Sequence, residues 1–305
     1  MTEDSKAIGI GLALAGTLLY VASDALTKGF LATTPVLDIA LVRFAVGLPL
    51  VVFVGGATLR SLHAIGFTIV NTVNSLAGVY ALTAGSLTGF AIASQMRPLF
   101  VSGLGILFFG AYFSRKILAL LLAAFLLSVA VFAGEPDIGH TANLLFVLTV
   151  ALQSAAFAAF GSHHTNRHVL GFTGLYNLVG FLTCLALKLA FWREPAFTAE
   201  TLGVNLVNGL VALAASLCVI MGYRTRHKVQ ASATNYLRLP ISLILATFLF
   251  QEAMTLTTVL ASLAILAIVF EIGRSKVDSG TALPSWIRWP KSPNPKGAAG
   301  PGASE

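Results

Sequence analysis

Two arginines stand one or two residues ahead of a proline inside apolar runs: Arg97-Pro98 in "ASQMRPLF", and Arg238 with Pro240 in "NYLRLP". An ionisable side chain in a lipid-spanning segment costs about 2.5–3.5 kcal/mol on insertion scales, which makes it a functional candidate by default. A proline removes a backbone donor and can open the helix ladder, so Pro98 and Pro240 are the expected helix breaks. An arginine beside such a break can hold a carboxylate or phosphate through a bidentate fork. The competing use is to satisfy the freed carbonyls or to pair with a fixed acid. Gln95, Asn235 and Tyr236 flank the two arginines with groups that can hydrogen-bond or stack on a ligand, or else join neighbouring helices.

A second set of polar residues lies in otherwise apolar stretches. Asn71 and Asn74 are three apart, so they share a helix face, with Ser75 beside them; interhelical hydrogen bonding is the favoured use and substrate contact the alternative. Tyr80 and Tyr223 hold similar places ahead of the two arginine segments, and Tyr20, Gln153 and Asn177 add further cavity candidates. Asp24 and Lys28 have the i,i+4 spacing that lets them pair on one helix face, near the expected level of Asp38 and Arg43. A static ion-pair cluster is the favoured reading there, with a gate or proton-coupling carboxylate at Asp24 as the sharper one. Glu252 reads as a helix-end acid, with coupling as its alternative.

Enzymatic chemistry finds little footing. The sequence holds no HExxH, GxSxG or phosphate-binding glycine loop. His163, His164 and His168 cluster in "SHHTNRH", but His63, His140 and His227 are scattered, so neither a catalytic site nor a metal or other cofactor is expected. Cys184 and Cys218 lie in apolar runs and read as small fillers.

The elements that must carry these residues follow from composition. Of 305 residues, 56% are hydrophobic and only 10% charged, with a mean hydropathy of +0.85. Soluble proteins carry about 25% charged residues, so an all-α integral membrane protein is expected. A bilayer core about 30 Å thick needs about 20 apolar residues per helix, and such windows recur at roughly 7–28, 36–55, 64–84, 88–110, 116–133, 142–161, 170–191, 201–222, 229–250 and 255–273. Ten transmembrane helices are therefore predicted. Unbroken runs such as "KILALLLAAFLLSVAVF" lack the alternation of a membrane β-barrel. The opening "MTEDSK" lacks the pattern of a cleavable signal peptide, so the first span is expected to persist.

Cationic residues concentrate on one set of loops, including Arg60, Arg115, Lys116, Arg167, Arg224, Arg226, Lys228 and Arg274, which predicts that both termini face the cytoplasm. The net charge of +7 thus reads as a topology signal, and nucleic acid is not an expected partner. Residues 274–305, rich in Pro, Gly and Ser, read as a disordered cytoplasmic tail, in which "SWIRWPK" suits an anionic headgroup surface.

"GFAIASQMRPLFVSGLGILFFG" and "VQASATNYLRLPISLILATFLFQE" share one layout: small residues, then polar ones, then an arginine shortly before a proline, then an apolar run. They are the fourth and ninth predicted spans. Units of five crossings invert the second relative to the first, giving two inverted five-helix repeats over 1–138 and 139–273. Arg97 and Arg238 each lie about nine residues from opposite membrane faces. At about 1.5 Å per residue, both reach roughly 14 Å deep, near the midplane.

With these residues in view, the chain resembles the drug/metabolite transporter superfamily, specifically its EamA-type ten-helix carriers. The resemblance spans about 270 residues. It rests on "LYVASDALTKGFL", on "LDIALVRFAVGLPL" with Arg43, on "YALTAGSLTGFAIASQMRPLFVSGLGILFFGAYFSRK", and on "ASATNYLRLPISLILATFLFQEAMTLTTVLASLAILAI". The family closes both signature helices with a Gly-Glu-like pair; Gln251-Glu252 keeps the acid, whereas the first repeat has Gly110-Ala111.

The resemblance implies secondary active transport, with export as the expected direction, of a small polar or anionic metabolite such as an amino acid. Alternating access around a midplane site in a bacterial inner membrane is the expected mechanism. Coupling to protons or by exchange is expected. A His-cluster membrane enzyme and a passive channel or scaffold are the alternatives.

Overall fold

A computed structural model describes residues 3–56, 62–97, 100, 115–134, 140–156, 169–191, 198–223, 231, 233–251 and 255–274. Pro98, Glu252, the Gly110-Ala111 pair, the "SHHTNRH" cluster and the tail from 275 onward lie outside the described residues, as does the side chain of Tyr223.

The described residues form ten α-helices. These are α1 (Glu3–Phe30), α2 (Val36–Val46), α3 (Leu62–Ala84), α4 (Leu87–Ser94), α5 (Arg115–Gly134), α6 (His140–Ala156), α7 (Val169–Ala190), α8 (Ala199–Tyr223), α9 (Arg238–Phe250) and α10 (Leu256–Arg274). Two 3-10 segments, Leu48–Phe53 and Thr234–Leu237, complete them. There is no strand among the described residues. By length and composition, α1, α3, α7 and α8 are long and apolar enough to cross a membrane, while α5, α6, α9 and α10 carry shorter apolar stretches. Leucines such as Leu148, Leu210 and Leu260 are exposed on the outside of the bundle. Large apolar side chains facing outward on several helices are what a lipid-facing surface requires.

Proline sets where the expected spans bend. The predicted stretch 36–55 is one α-helix only to Val46, because Pro49 has no N–H to give and its ring would clash with a helical carbonyl one turn back. The chain continues as the 3-10 segment Leu48–Phe53 instead. Pro240 acts differently from the expected mid-helix break. It sits in the first turn of α9, where its missing N–H would have no partner in any case. The irregularity lies just before it, in the 3-10 turn Thr234–Leu237. At the other end, α9 closes on Gln251 in the left-handed region (φ 53°), whose N–H reaches the Ala246 carbonyl.

Small residues bring the backbones together. A Cβ on Gly16 of α1 would lie 2.5 Å from the Val219 side chain and 2.9 Å from the Ala215 carbonyl oxygen of α8. A Cβ on Gly174 of α7 would lie 2.3 Å from the Leu50 carbonyl oxygen. Only glycine permits these approaches.

The helix partnerships have a regular form. α1 packs along α8 and α3 along α6; α2 meets α7, α4 meets α9, and α5 meets α10; α2 also touches α8, as α7 touches α3. Adding five to the lower helix numbers and subtracting five from the higher ones maps this set onto itself: α1–α8 exchanges with α3–α6 and α2–α8 with α3–α7, while α2–α7, α4–α9 and α5–α10 are each carried onto themselves. The core between them consists of two main buried clusters. One joins Ile92, Leu121, Tyr236, Leu239 and Ile265, and the other joins Leu82, Phe90, Met96, Phe146 and Val150.

Candidate binding cavity

The helix packing leaves an interior cavity of about 170 Å³, walled by residues from α1, α2, α3, α4, α6, α7, α8 and α9 together with Arg97. Among its described lining residues, four are charged: Asp24, Arg43, Arg97 and Arg238. Positive charge therefore outnumbers negative by three side chains to one.

Arg238, first residue of α9, reaches Asp24 near the end of α1. Its Nε donates to Asp24 Oδ2 at 2.9 Å, and its Nη2 donates to the same oxygen. Both side chains are buried. The guanidinium also lies over two rings, with its central carbon 4.7 Å from the Phe90 centroid and 5.8 Å from that of Tyr20. Cation–π contact and a charge-assisted fork together offset part of the cost of holding a guanidinium away from water.

Arg43 of α2 is placed differently. It lines the same cavity and is close enough to Asp24 and Tyr176 to act on both electrostatically. Among the described residues it has no hydrogen-bond or ion-pair partner. Arg97 adds its field to the same two residues.

The cavity lining also carries amides and hydroxyls. Asn71 accepts a hydrogen bond from Gln153 of α6 and donates to the Phe67 carbonyl at 2.9 Å. Asn74 accepts from Thr149 of α6 at 3.2 Å. Ser75 and Tyr176 share a hydroxyl–hydroxyl bond of 2.5 Å between α3 and α7. Asn71 and Asn74 thus join α3 to α6 and face the cavity at the same time. Aromatic rings complete the lining. Phe67 and Phe172 have centroids 5.1 Å apart, Phe44 and Tyr176 meet edge to face at 5.3 Å, and Phe90 stacks on Phe146 at 4.7 Å.

Other candidates fall elsewhere. Tyr236 is fully buried in the apolar cluster, its hydroxyl donating to the Leu121 carbonyl at 3.3 Å. Asn235 accepts from Thr17 at 3.5 Å, and Gln95 is buried with its amide unpartnered among the described residues. Neither lines the cavity, and Tyr80 lies on an exposed surface, 44% accessible.

The expected Asp24–Lys28 pair does not form. Asp24 is taken by Arg238, and Lys28 donates instead to the Gly85 carbonyl at 2.5 Å. Asp38 pairs with Lys188 of α7 in a buried contact that hydropathy alone did not single out. Asn205 donates to the Asp38 backbone carbonyl at 3.3 Å, and Asn208 bridges Ser23 (2.6 Å) and Thr27 (3.0 Å). These contacts form a polar layer at one end of the bundle. Cavity residues such as Phe67, Phe172 and Ile220 lie toward the opposite ends of α3, α7 and α8.

Sequence reasoning passed over Tyr176 and the phenylalanine wall. A phenylalanine in an apolar span carries no sign of which way it faces. The partner of Asp24 lies 214 positions away, beyond any local spacing rule.

No family model matches the sequence, and no curated protein matches it closely. In fold, 26 chains of solved structures match. One, described only as "Crystal structure of protein", has a TM-score of 0.58 at 17% sequence identity, over 90% of this chain and 97% of that chain. At that identity the likeness establishes a shared fold and nothing about activity.

Proposed function

We propose that this chain is a multi-pass membrane carrier of the EamA-type drug/metabolite transporter kind, built from ten spans in two inverted five-helix repeats. Its substrate is a small polar or anionic metabolite, moved by secondary active transport with export as the favoured direction. A bacterial inner membrane with both termini in the cytoplasm is the setting that the loop charges favour.

One observation carries the reading. Arg97 and Arg238, which the sequence sets at matching points of its two halves, line one interior cavity. Inverted-repeat carriers hold their substrates near the middle of the bilayer, between the two repeats. Helix partnerships that interconvert on a shift of five lend support to the repeat. A polar layer at one end of the bundle with a cavity toward the other supports alternating access. Coupling to protons or by exchange belongs to the same carrier reading.

Proteoliposomes test this directly. Purified protein preloaded with a candidate amino acid or organic acid should show saturable, trans-stimulated uptake of the same labelled compound. Flux that rises linearly with concentration and ignores the internal load would mark a channel instead.

A further inference from the structure

We infer that Arg43 is the anchor for the substrate's anionic group, and that the site takes a small organic anion with an apolar, aromatic-sized body. This rests on the carrier reading in one respect only: the occupant of the cavity is taken to be the transported molecule.

The charges facing the cavity are not equivalent. Asp24 already occupies the Nε and Nη2 donors of Arg238, so that guanidinium has a built-in counter-ion. Arg43 shares the cavity, and no described residue hydrogen-bonds or ion-pairs with it. Arg43 is half-buried on the cavity wall, and a guanidinium with no fixed partner there gains a charge-assisted contact when an anion arrives to meet it. Arg97 raises the local positive potential further, whatever else it contacts. A neutral ligand would leave Arg43 unmet, and a cation would be repelled.

The rest of the wall describes the rest of the ligand. Phe44 and Tyr176 form an edge-to-face pair, and Tyr176 is one of the groups on which Arg43 acts. Phe67 and Phe172 extend the aromatic surface. A bare inorganic anion would leave this surface without a partner. Pockets for drug-sized ligands run to roughly 300–1,000 Å³, so a cavity of about 170 Å³ suits a smaller metabolite.

Binding can be measured on the full-length protein in detergent, by calorimetry or thermal shift, with four probes: phenylacetate, phenylacetamide, acetate and inorganic phosphate. Phenylacetate should bind about tenfold or more tightly than its neutral amide, the range of a charge-assisted contact. It should also outbind acetate and phosphate, which lack the apolar body. In Arg43→Gln the phenylacetate-to-phenylacetamide ratio should fall to near one, and Arg43→Lys should keep part of it.

The ratio within a single variant controls for altered folding. Equal binding of acid and amide by the native protein, no saturable phenylacetate binding, or an unchanged ratio in Arg43→Gln would overturn the assignment. Phosphate or acetate binding as tightly as phenylacetate would overturn the apolar-body part. Acid selectivity without counterflow in liposomes would remove the carrier reading while keeping the anion site. Counterflow of a neutral solute with no acid preference would do the reverse.

Discussion

Asp24 in α1 and Arg238 at the start of α9 form a buried ion pair that ties the first helix to the arginine segment of the second half, with both residues on the wall of one cavity. Taking away one member of such a pair strands the other, at a cost of about 3–5 kcal/mol, whereas removing both relieves the charge. Asp24→Asn and Arg238→Gln should each lower thermal stability in detergent more than the double variant does. A double-mutant cycle on melting free energies checks this; strictly additive losses would count against a coupled pair.

Arg97→Ala and Arg238→Ala should each abolish counterflow in proteoliposomes while the protein still inserts and purifies as a folded species. Tyr80→Phe, altered on an exposed helix surface away from the cavity, should transport as the native protein does. Native flux in both arginine variants would remove the arginines from the site.

Neutralising Asp24 should also change what the cavity accepts. With its counter-ion gone, Arg238 has donors to spare, and a second negative charge on the ligand gains a partner. Asp24→Asn should bind the dianion phenylphosphonate more tightly than the native protein by about 1.5–3 kcal/mol, the worth of a charged hydrogen bond. Titration calorimetry at a pH where the phosphonate is fully ionised reads the difference, and weaker binding would contradict the counter-ion role.

The buried Asp38–Lys188 pair joins α2 to α7 within the polar end layer. If that layer must part during transport, cysteines introduced at both positions and cross-linked should stop counterflow and leave ligand binding intact. Reduction should restore the flux. Undiminished flux after complete cross-linking would show that the layer stays closed throughout the cycle.

Close packing between α1 and α8 gives a stability test that involves no charge. Gly16→Val should destabilise the protein by about 1–3 kcal/mol, since the new Cβ would meet Val219 and the Ala215 carbonyl at under 3 Å. Gly11→Val on the same helix, where nothing lies within 4 Å, is the matched control. Parallel thermal melts in detergent compare the two.

Hydropathy and the lack of alternation together announced an all-helical chain with membrane-crossing segments, because long unbroken apolar runs satisfy their backbone in lipid as helices, whereas barrel strands alternate. The recurrence of arginine before proline was equally visible, and it singled out Arg97 and Arg238. Asn71 and Asn74 were readable as a shared face, since helical periodicity fixes which residues align. The site itself lay beyond local rules. Spacing paired Asp24 with Lys28, four residues on. In the folded chain Arg238 takes that carboxylate from 214 positions away, and Lys28 turns to a backbone carbonyl. Tyr236, an apparent ligand contact, went instead into the apolar core, and unremarkable phenylalanines became the cavity wall. Sequence periodicity determines which side of a helix a residue occupies. Which helix meets that side is decided by packing across the whole chain, and here that packing left Asp24 neutralising Arg238 and Arg43 facing the cavity.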